Sequence, residues 1–189
     1  MARQPSSLGL DLEHIASIAD HYEFTMADAN VVAGIEGRES VFNAAARAMP
    51  NHKVVGFEEV ASGKKIFHSY EVQPDNYFVN AGLEQILASL SKWSLNEPII
   101  KLMADKGLSH DAIRFFERNK RLGVTVNAIP EGIPIFQHEP FVSLQGTFEQ
   151  CQFPESLILG TWGLQTAVAT TASYVLNVLE EFGKSSVVT

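Results

Sequence analysis

The hydrophobic periodicity of the chain changes near residue 122, and this change constrains the fold more than any other feature. Before it, residues 96–105 and 109–121 carry apolar side chains at the spacing of amphipathic helices. After it, short apolar runs between residues 124 and 146 are broken by proline and glycine, which is typical of short strands joined by tight turns. A long helical pattern then runs over residues 152–182. We therefore predict an α+β fold.

The pattern also indicates how the chain is organised. Residues 51–76 are predicted to contain a β-hairpin, because apolar and β-branched residues flank the turn Ala61-Ser62-Gly63-Lys64. Residues 1–10 are expected to form a mobile tail. Residues 11–122 are expected to form an N-terminal α+β domain of helices with an antiparallel sheet. Residues 123–189 are expected to form a short strand-rich module and a long closing helix, whose apolar positions we expect to be buried.

Charge and composition argue against several classes of protein. Hydrophobic residues make up 46% and charged residues 19% of the chain, which indicates a globular protein. The net charge of -8 argues against nucleic acid or an anionic membrane as a partner, since either would repel it. No run approaches the roughly 18 apolar residues that a membrane span requires. The single cysteine, Cys151, is expected to be a core residue and fits a reducing, cytoplasmic location.

Residues 20–26, with the sequence DHYEFTM, are the stretch that packing explains least. An aromatic residue stands beside an acid, a hydroxyl and a thioether where a polar segment becomes a helix. Asp20 is predicted to cap the first turn of this helix, which would end at Val32. Tyr22 and Met26 would then share one face. Spacing alone favours ordinary core aromatics here.

Four separated motifs resemble the nicotinate phosphoribosyltransferase family. In chain order they are Asp20-His21-Tyr22-Glu23-Phe24-Thr25-Met26, Tyr77-Phe78-Val79-Asn80-Ala81-Gly82-Leu83-Glu84, Ala128-Ile129-Pro130-Glu131-Gly132 with Phe136 and Glu139-Pro140, and Val168-Ala169-Thr170-Thr171-Ala172-Ser173-Tyr174. They cover most of residues 20–174, and the hairpin within 51–76 is extra to the family pattern. The resemblance implies the N-terminal part of a type II phosphoribosyltransferase. It also favours a strand over residues 39–49, although their alanines favour a helix.

The resemblance implies a function in NAD synthesis, the transfer of a phosphoribosyl group from phosphoribosyl pyrophosphate to nicotinate, giving nicotinate mononucleotide. It makes Tyr22 the residue that stacks on the nicotinate base across a subunit interface, with Thr25 as a candidate neighbour. The family's catalytic barrel is expected to be absent, so no catalytic residue and no metal ligand is assigned in this chain. The complete enzyme is expected to use magnesium. A homo-oligomer or a second chain carrying the barrel is the expected partner.

One feature leaves alternatives open. The family has an arginine where this chain has Tyr174, and a tyrosine cannot offer phosphate a charged, forked donor. A non-catalytic, self-associating or regulatory protein is therefore the alternative function, and an unrelated α+β domain with coincidental motifs is a third possibility.

Glu131 and Glu139 could be interpreted as a general acid/base pair. We instead expect both to accept hydrogen bonds from backbone N–H groups.

Overall fold

Runs of helices and runs of antiparallel strands follow one another along the described residues, and a long helix comes last. The computed structural model describes residues 12–48, 53–61, 64–71 and 77–181, with side chains at 15–48 and 77–177. The elements are a 3₁₀ helix at Leu12–Ile18, α1 at His21–Val32, β1 at Glu39–Ala45, β2 at Lys53–Ala61, β3 at Lys64–Glu71, β4 at Phe78–Val79, α2 at Leu83–Lys92, α3 at Glu97–Asp105, α4 at His110–Arg118, β5 at Thr125–Ala128, β6 at Pro134–Ile135, β7 at Pro140–Thr147, α5 at Phe148–Gln152 and α6 at Glu155–Glu181. The predicted fold class is confirmed.

The main sheet has three antiparallel strands in the order β1-β7-β5. Phe42 of β1 pairs with Leu144 of the central strand β7, and Ala44 pairs with Val142. This pairing resolves the conflict over residues 39–49. Their alanine-rich stretch forms a strand up to Ala45, because pairing and packing on a sheet outweigh helix propensity.

The predicted hairpin forms a separate two-stranded sheet from β2 and β3. The two strands are antiparallel, from the pair Lys53 and Glu71 to the pair Ala61 and Lys64, with an irregular register between Val54 and Phe57. Turn residues 62 and 63 lie outside the described residues, as does the tail predicted at residues 1–10.

Aromatic residues from distant parts of the chain form the centre of the core. The Phe24 ring of α1 lies 5.4 Å from the Phe153 ring, which is stacked on it, and 5.7 Å from the Phe116 ring, which meets it edge to face. Ser109 caps α4, since its hydroxyl accepts from the backbone N–H of Ala112 at 3.1 Å. Cys151 is buried as predicted, and burial raises the pKa of its thiol to about 11.

Glu131 and Glu139 act as the predicted acceptors of backbone N–H groups. One oxygen of Glu131 accepts from Gly82 at 2.9 Å and from Glu84 at 3.0 Å, so it binds the start of α2. Gly82 has a φ of 100°, which a residue with a side chain rarely adopts. Glu139 accepts from the N–H of Phe136 at 3.0 Å.

The long closing helix differs from the prediction in two ways. Pro154 follows the end of α5, so the helical stretch is divided and α6 begins at Glu155. The expectation that its apolar positions are buried holds for Leu157 and Ile158 but is wrong further on. The exposed ones are Leu164, Val168, Val175 and Leu176. Among the described residues, no helix has both the length and the apolar character needed to cross a membrane.

The later part of α6 faces the strand β4 with hydroxyls. Thr166 accepts from the N–H of Ala81 and donates to its carbonyl, both at 3.2 Å, and Thr170 accepts from the N–H of Val79 at 3.0 Å. Both threonines are buried. Buried backbone groups at the edge of a strand require partners, and only polar side chains supply them. The apolar residues of these turns therefore face outward.

Candidate functional site

The beginnings of α1 and α6 meet at the segment that carries the first motif. Asp20 occupies the predicted N-cap position of α1, but its side chain makes no capping hydrogen bond. Instead its carboxylate accepts from the hydroxyl of Ser156 on α6 at 2.9 Å. The prediction that Asp20 caps α1 through its side chain is therefore wrong, because a donor on the neighbouring helix engages the carboxylate.

Glu23 is the buried centre of this contact. None of its side chain is exposed. One carboxyl oxygen accepts from the hydroxyl of Ser156 at 2.9 Å and from its N–H at 3.3 Å. The other oxygen has no hydrogen-bond partner within the part of the chain that the structure describes. Burial raises the pKa of Glu23 to about 7; hydrogen bonds from Ser156 oppose the rise, and the Glu155 and Asp20 carboxylates add to it.

Tyr22 lies between Asp20 and Glu23 in the chain, and its side chain points outward. Its side chain is 43% exposed. Partial burial is the largest cause that raises its pKa to about 12, followed by a hydrogen bond with Glu155 and the charges of Glu155, Glu23 and Asp20. The phenol thus keeps its proton at neutral pH and serves as a hydrogen-bond donor. Met26, predicted to share this face, is exposed to the same degree.

Thr25 lies one turn after Tyr22 on the same helix. Its hydroxyl donates to the carbonyl of Tyr22 at 3.0 Å, and the residue is exposed. The structure therefore brings the two predicted site residues together through a local contact. Their role in binding a substrate stays a prediction.

A cavity of about 290 Å³ lies beside this segment, between the β1 and β7 strands and the start of α6. Glu155, the partner of Tyr22, is one of its lining residues, and Arg47 adds a positive charge. The remaining lining residues are Phe42, Asn43, Ala44, Ala45, Val142, Leu144, Cys151, Ile158 and Leu159. The cavity approaches the lower limit of small-molecule sites, which is about 300 Å³.

The charges around Tyr22 limit the chemistry that this region can support. The carboxyl groups of Asp20, Glu23 and Glu155 all act on Tyr22, and negative charge at this place repels phosphate. Within the described ranges, no group of three His, Cys, Asp or Glu side chains could hold a metal ion. These residues do not fit a magnesium site, and the magnesium expected with phosphoribosyl pyrophosphate stays a prediction for the complete enzyme.

Tyr174, which stands where the resemblance expects arginine, is used within the fold. Its hydroxyl donates to the carbonyl of Tyr77 at 3.0 Å, and the two rings meet edge to face at 5.5 Å. The hydroxyl of Tyr77 in turn shares a 2.8 Å hydrogen bond with Ser173. Position 174 thus fastens α6 to the chain before β4.

Comparisons with known proteins agree with the motifs. The chain is 25% identical over 160 residues to a nicotinate phosphoribosyltransferase of Mycobacterium tuberculosis, in each of two strains. The match covers 85% of this chain and 30% of the relative. The resemblance to nicotinate phosphoribosyltransferases is confirmed. The chain spans less than a third of these curated relatives, which fits the predicted place in the N-terminal part of such a protein. No family model matches the chain.

One solved structure shows the same fold. The crystal structure of human nicotinic acid phosphoribosyltransferase matches with a TM-score of 0.62 and 22% identity, over 81% of this chain and 27% of the human chain. A nicotinate-nucleotide pyrophosphorylase of Pyrococcus furiosus matches over 86% of this chain and 28% of its own, at 15% identity and a TM-score of 0.46, which is too low to carry an argument. The human structure therefore supports the fold, and the curated relative supports the family resemblance.

Sequence reasoning singled out Tyr22 and missed Glu23 and Ser156. An acid between two aromatics on a helix is a weak signal of burial, and a serine after Pro154 and Glu155 resembles an ordinary helix start. Their partnership joins residues 133 positions apart in the chain, which no local pattern predicts.

Proposed function

We propose that this chain is the N-terminal part of a nicotinate phosphoribosyltransferase that makes nicotinate mononucleotide for NAD synthesis. The observation that carries the proposal is the 25% identity over 160 residues to the curated relative, which spans 85% of this chain. The remainder of the enzyme, either a second chain or a longer form of this one, would supply the catalytic barrel. The proposed location is the cytoplasm.

In this proposal Tyr22 stacks on the flat pyridine ring of nicotinate. The exposed ring and the phenol bonded to Glu155 suit that role, because the ring face stays available while its edge is held. An aromatic pair contributes about 0.5–1.5 kcal/mol beyond the area it buries. Thr25 would help only by holding the backbone of Tyr22, since its hydroxyl is directed there.

The phosphate chemistry would come from outside the described residues. Phosphoribosyl transfer builds negative charge on pyrophosphate, so it requires fixed positive groups and magnesium. The Tyr22 region carries the opposite charge, with Asp20, Glu23 and Glu155 close together. We therefore propose that this part contributes to base recognition, within a homo-oligomer or with a barrel-bearing chain, and has little activity by itself.

The test begins with the native mass of the protein from its source cells, followed by an assay with nicotinate, phosphoribosyl pyrophosphate and magnesium. In the active assembly, Tyr22→Ala should raise the KM for nicotinate about twofold to tenfold, the equivalent of the stacking energy. Its KM for phosphoribosyl pyrophosphate should stay unchanged. Phe136→Ala is the matched control, because Phe136 is also an exposed aromatic, 54% accessible. Equal kinetics for Tyr22→Ala and its parent would contradict the stacking role.

A second candidate function is a non-catalytic, self-associating or regulatory protein. The hydrogen bond from Tyr174 to Tyr77 favours it, because a position that the family resemblance gives to arginine serves packing instead. A native assembly made only of copies of this chain, with no phosphoribosyl transfer, would support this candidate over the first. An assembly that contains a barrel and makes nicotinate mononucleotide would exclude it.

A further inference from the structure

Ser156 joins the two acids that flank Tyr22. Its hydroxyl oxygen lies 2.9 Å from a carboxyl oxygen of Asp20 and 2.9 Å from one of Glu23, and its N–H lies 3.3 Å from the same Glu23 oxygen. Tyr22 stands between these acids in the first turn of α1. Ser156 of α6 thus contacts one residue before Tyr22 in the chain and one residue after it.

The hydroxyl of Ser156 has one hydrogen but two short contacts to carboxyl groups. It can donate to only one of them at a time. When the hydroxyl donates to Asp20, the N–H of Ser156 still donates to Glu23. Glu23 depends on these two donors, since it has no exposed surface and its second oxygen has no partner among the described residues.

Tyr22 differs from its neighbours in the same turn. Glu23 and Phe24 are fully buried, whereas Tyr22 has an open ring and a phenol that reaches Glu155, the residue next to Ser156. Any shift of α1 against α6 would therefore move the ring relative to Glu155. The contacts of Ser156 prevent that shift at the point where it would matter most.

We propose that Ser156 is a positioning residue, which through Asp20 and Glu23 fixes the first turn of α1 so that the Tyr22 ring is held for stacking. The proposal rests on the function proposed above. It assigns Ser156 no contact with substrate, so its effect must act through Tyr22. This dependence gives the proposal a sharp test.

The test is a double-mutant cycle in the active assembly. Ser156→Ala should raise the KM for nicotinate by about the same twofold to tenfold as Tyr22→Ala, with the KM for phosphoribosyl pyrophosphate unchanged. In the Tyr22→Ala background, Ser156→Ala should add nothing, because the residue it positions is gone. Ser156→Thr should restore the parent KM. Ser91→Ala is the control, since the Ser91 hydroxyl donates to the carbonyl of Ala88 in its own helix.

A second measurement separates this proposal from the proposed function. Hydrogen exchange of the amides of residues 24–27 in the full chain should speed up in Ser156→Ala and in Asp20→Ala, and stay unchanged in Ser91→Ala. Asp20 is exposed, so its variant does not disturb the core.

The outcomes are distinct. An equal effect of Ser156→Ala with and without Tyr22, or unchanged exchange in both variants, would overturn the positioning role. Unchanged kinetics for Tyr22→Ala would contradict the stacking role of Tyr22, and the absence of any phosphoribosyl transfer would overturn the proposed function. In either case, faster exchange would still support the hold of Ser156 on α1.

Discussion

The two ends of α6 attach to the protein by opposite means. Its first turn buries apolar side chains, Leu157 and Ile158, and binds α1 through Ser156. Its later turns bury hydroxyls, Thr166 and Thr170, on the strand β4 and leave apolar side chains exposed. The difference shows that what a helix buries depends on its neighbour. The apolar core accepts apolar side chains, whereas a short strand with an open edge requires hydrogen-bond partners.

The largest expected effect concerns the apolar attachment at the start of α6. Leu157→Ala should lower the free energy of unfolding by about 2–5 kcal/mol, because it leaves a cavity among buried residues. Leu164→Ala is the matched control on the same helix, and it should change that free energy by less than about 0.5 kcal/mol, since Leu164 is 71% exposed. Urea unfolding of the chain measures both. Similar losses for the two leucines would contradict the comparison.

The next effect concerns Glu23, the buried acid that contacts Ser156 in the first turn of α6. The folded pKa of Glu23 is raised from an ordinary 4.5 to about 7, so the folded chain holds this proton to a higher pH than the unfolded chain does. The free energy of unfolding should therefore fall by up to about 3 kcal/mol as the pH rises from the ordinary pKa of 4.5 to about 7. Above that pH it should level off.

Glu23→Gln should remove this pH-dependent loss, because glutamine does not titrate. Urea unfolding at a series of pH values checks it, with Glu117→Gln at an exposed position of α4 as the control. A loss of the same size in Glu23→Gln would show that another group causes it.

Thr166→Val tests the attachment of the later turns of α6 through hydroxyl groups. The substitution keeps the shape of the side chain. It leaves the N–H and the carbonyl of Ala81 without this partner and should cost about 1–3 kcal/mol. Thr171→Val is the control, because Thr171 is exposed and its hydroxyl donates to the carbonyl of Ala167 in its own helix. Thermal unfolding of the two variants measures the difference. A neutral Thr166→Val would mean that burial alone holds this end of α6.

The smallest expected effect lies at the contact of α6 with Tyr77. Tyr174→Phe removes the donor to the carbonyl of Tyr77 and keeps the ring contact, so it should cost about 0.5–1.5 kcal/mol. Thermal unfolding measures it. A variant as stable as its parent would show that Tyr174 holds α6 by its ring alone.

Much of the fold follows from local pattern. The helix from His21 to Val32, the cap at Ser109, the hairpin and the acceptor roles of Glu131 and Glu139 all depend on residues close in sequence or on the chemistry of a single side chain. Periodicity, turn residues and capping preferences describe such features directly. The motifs likewise indicated the family resemblance and drew attention to Tyr22.

Tertiary structure alone decided the rest. Leu164 and Val168 continue an apolar pattern yet lie outside, because the neighbouring strand requires Thr166 and Thr170 on the inside. Asp20 binds Ser156 instead of its own helix, and Glu23 is buried, because two helix starts more than 130 residues apart meet there. A sequence determines which groups each residue offers, but which of them become partners depends on how the chain brings distant elements together.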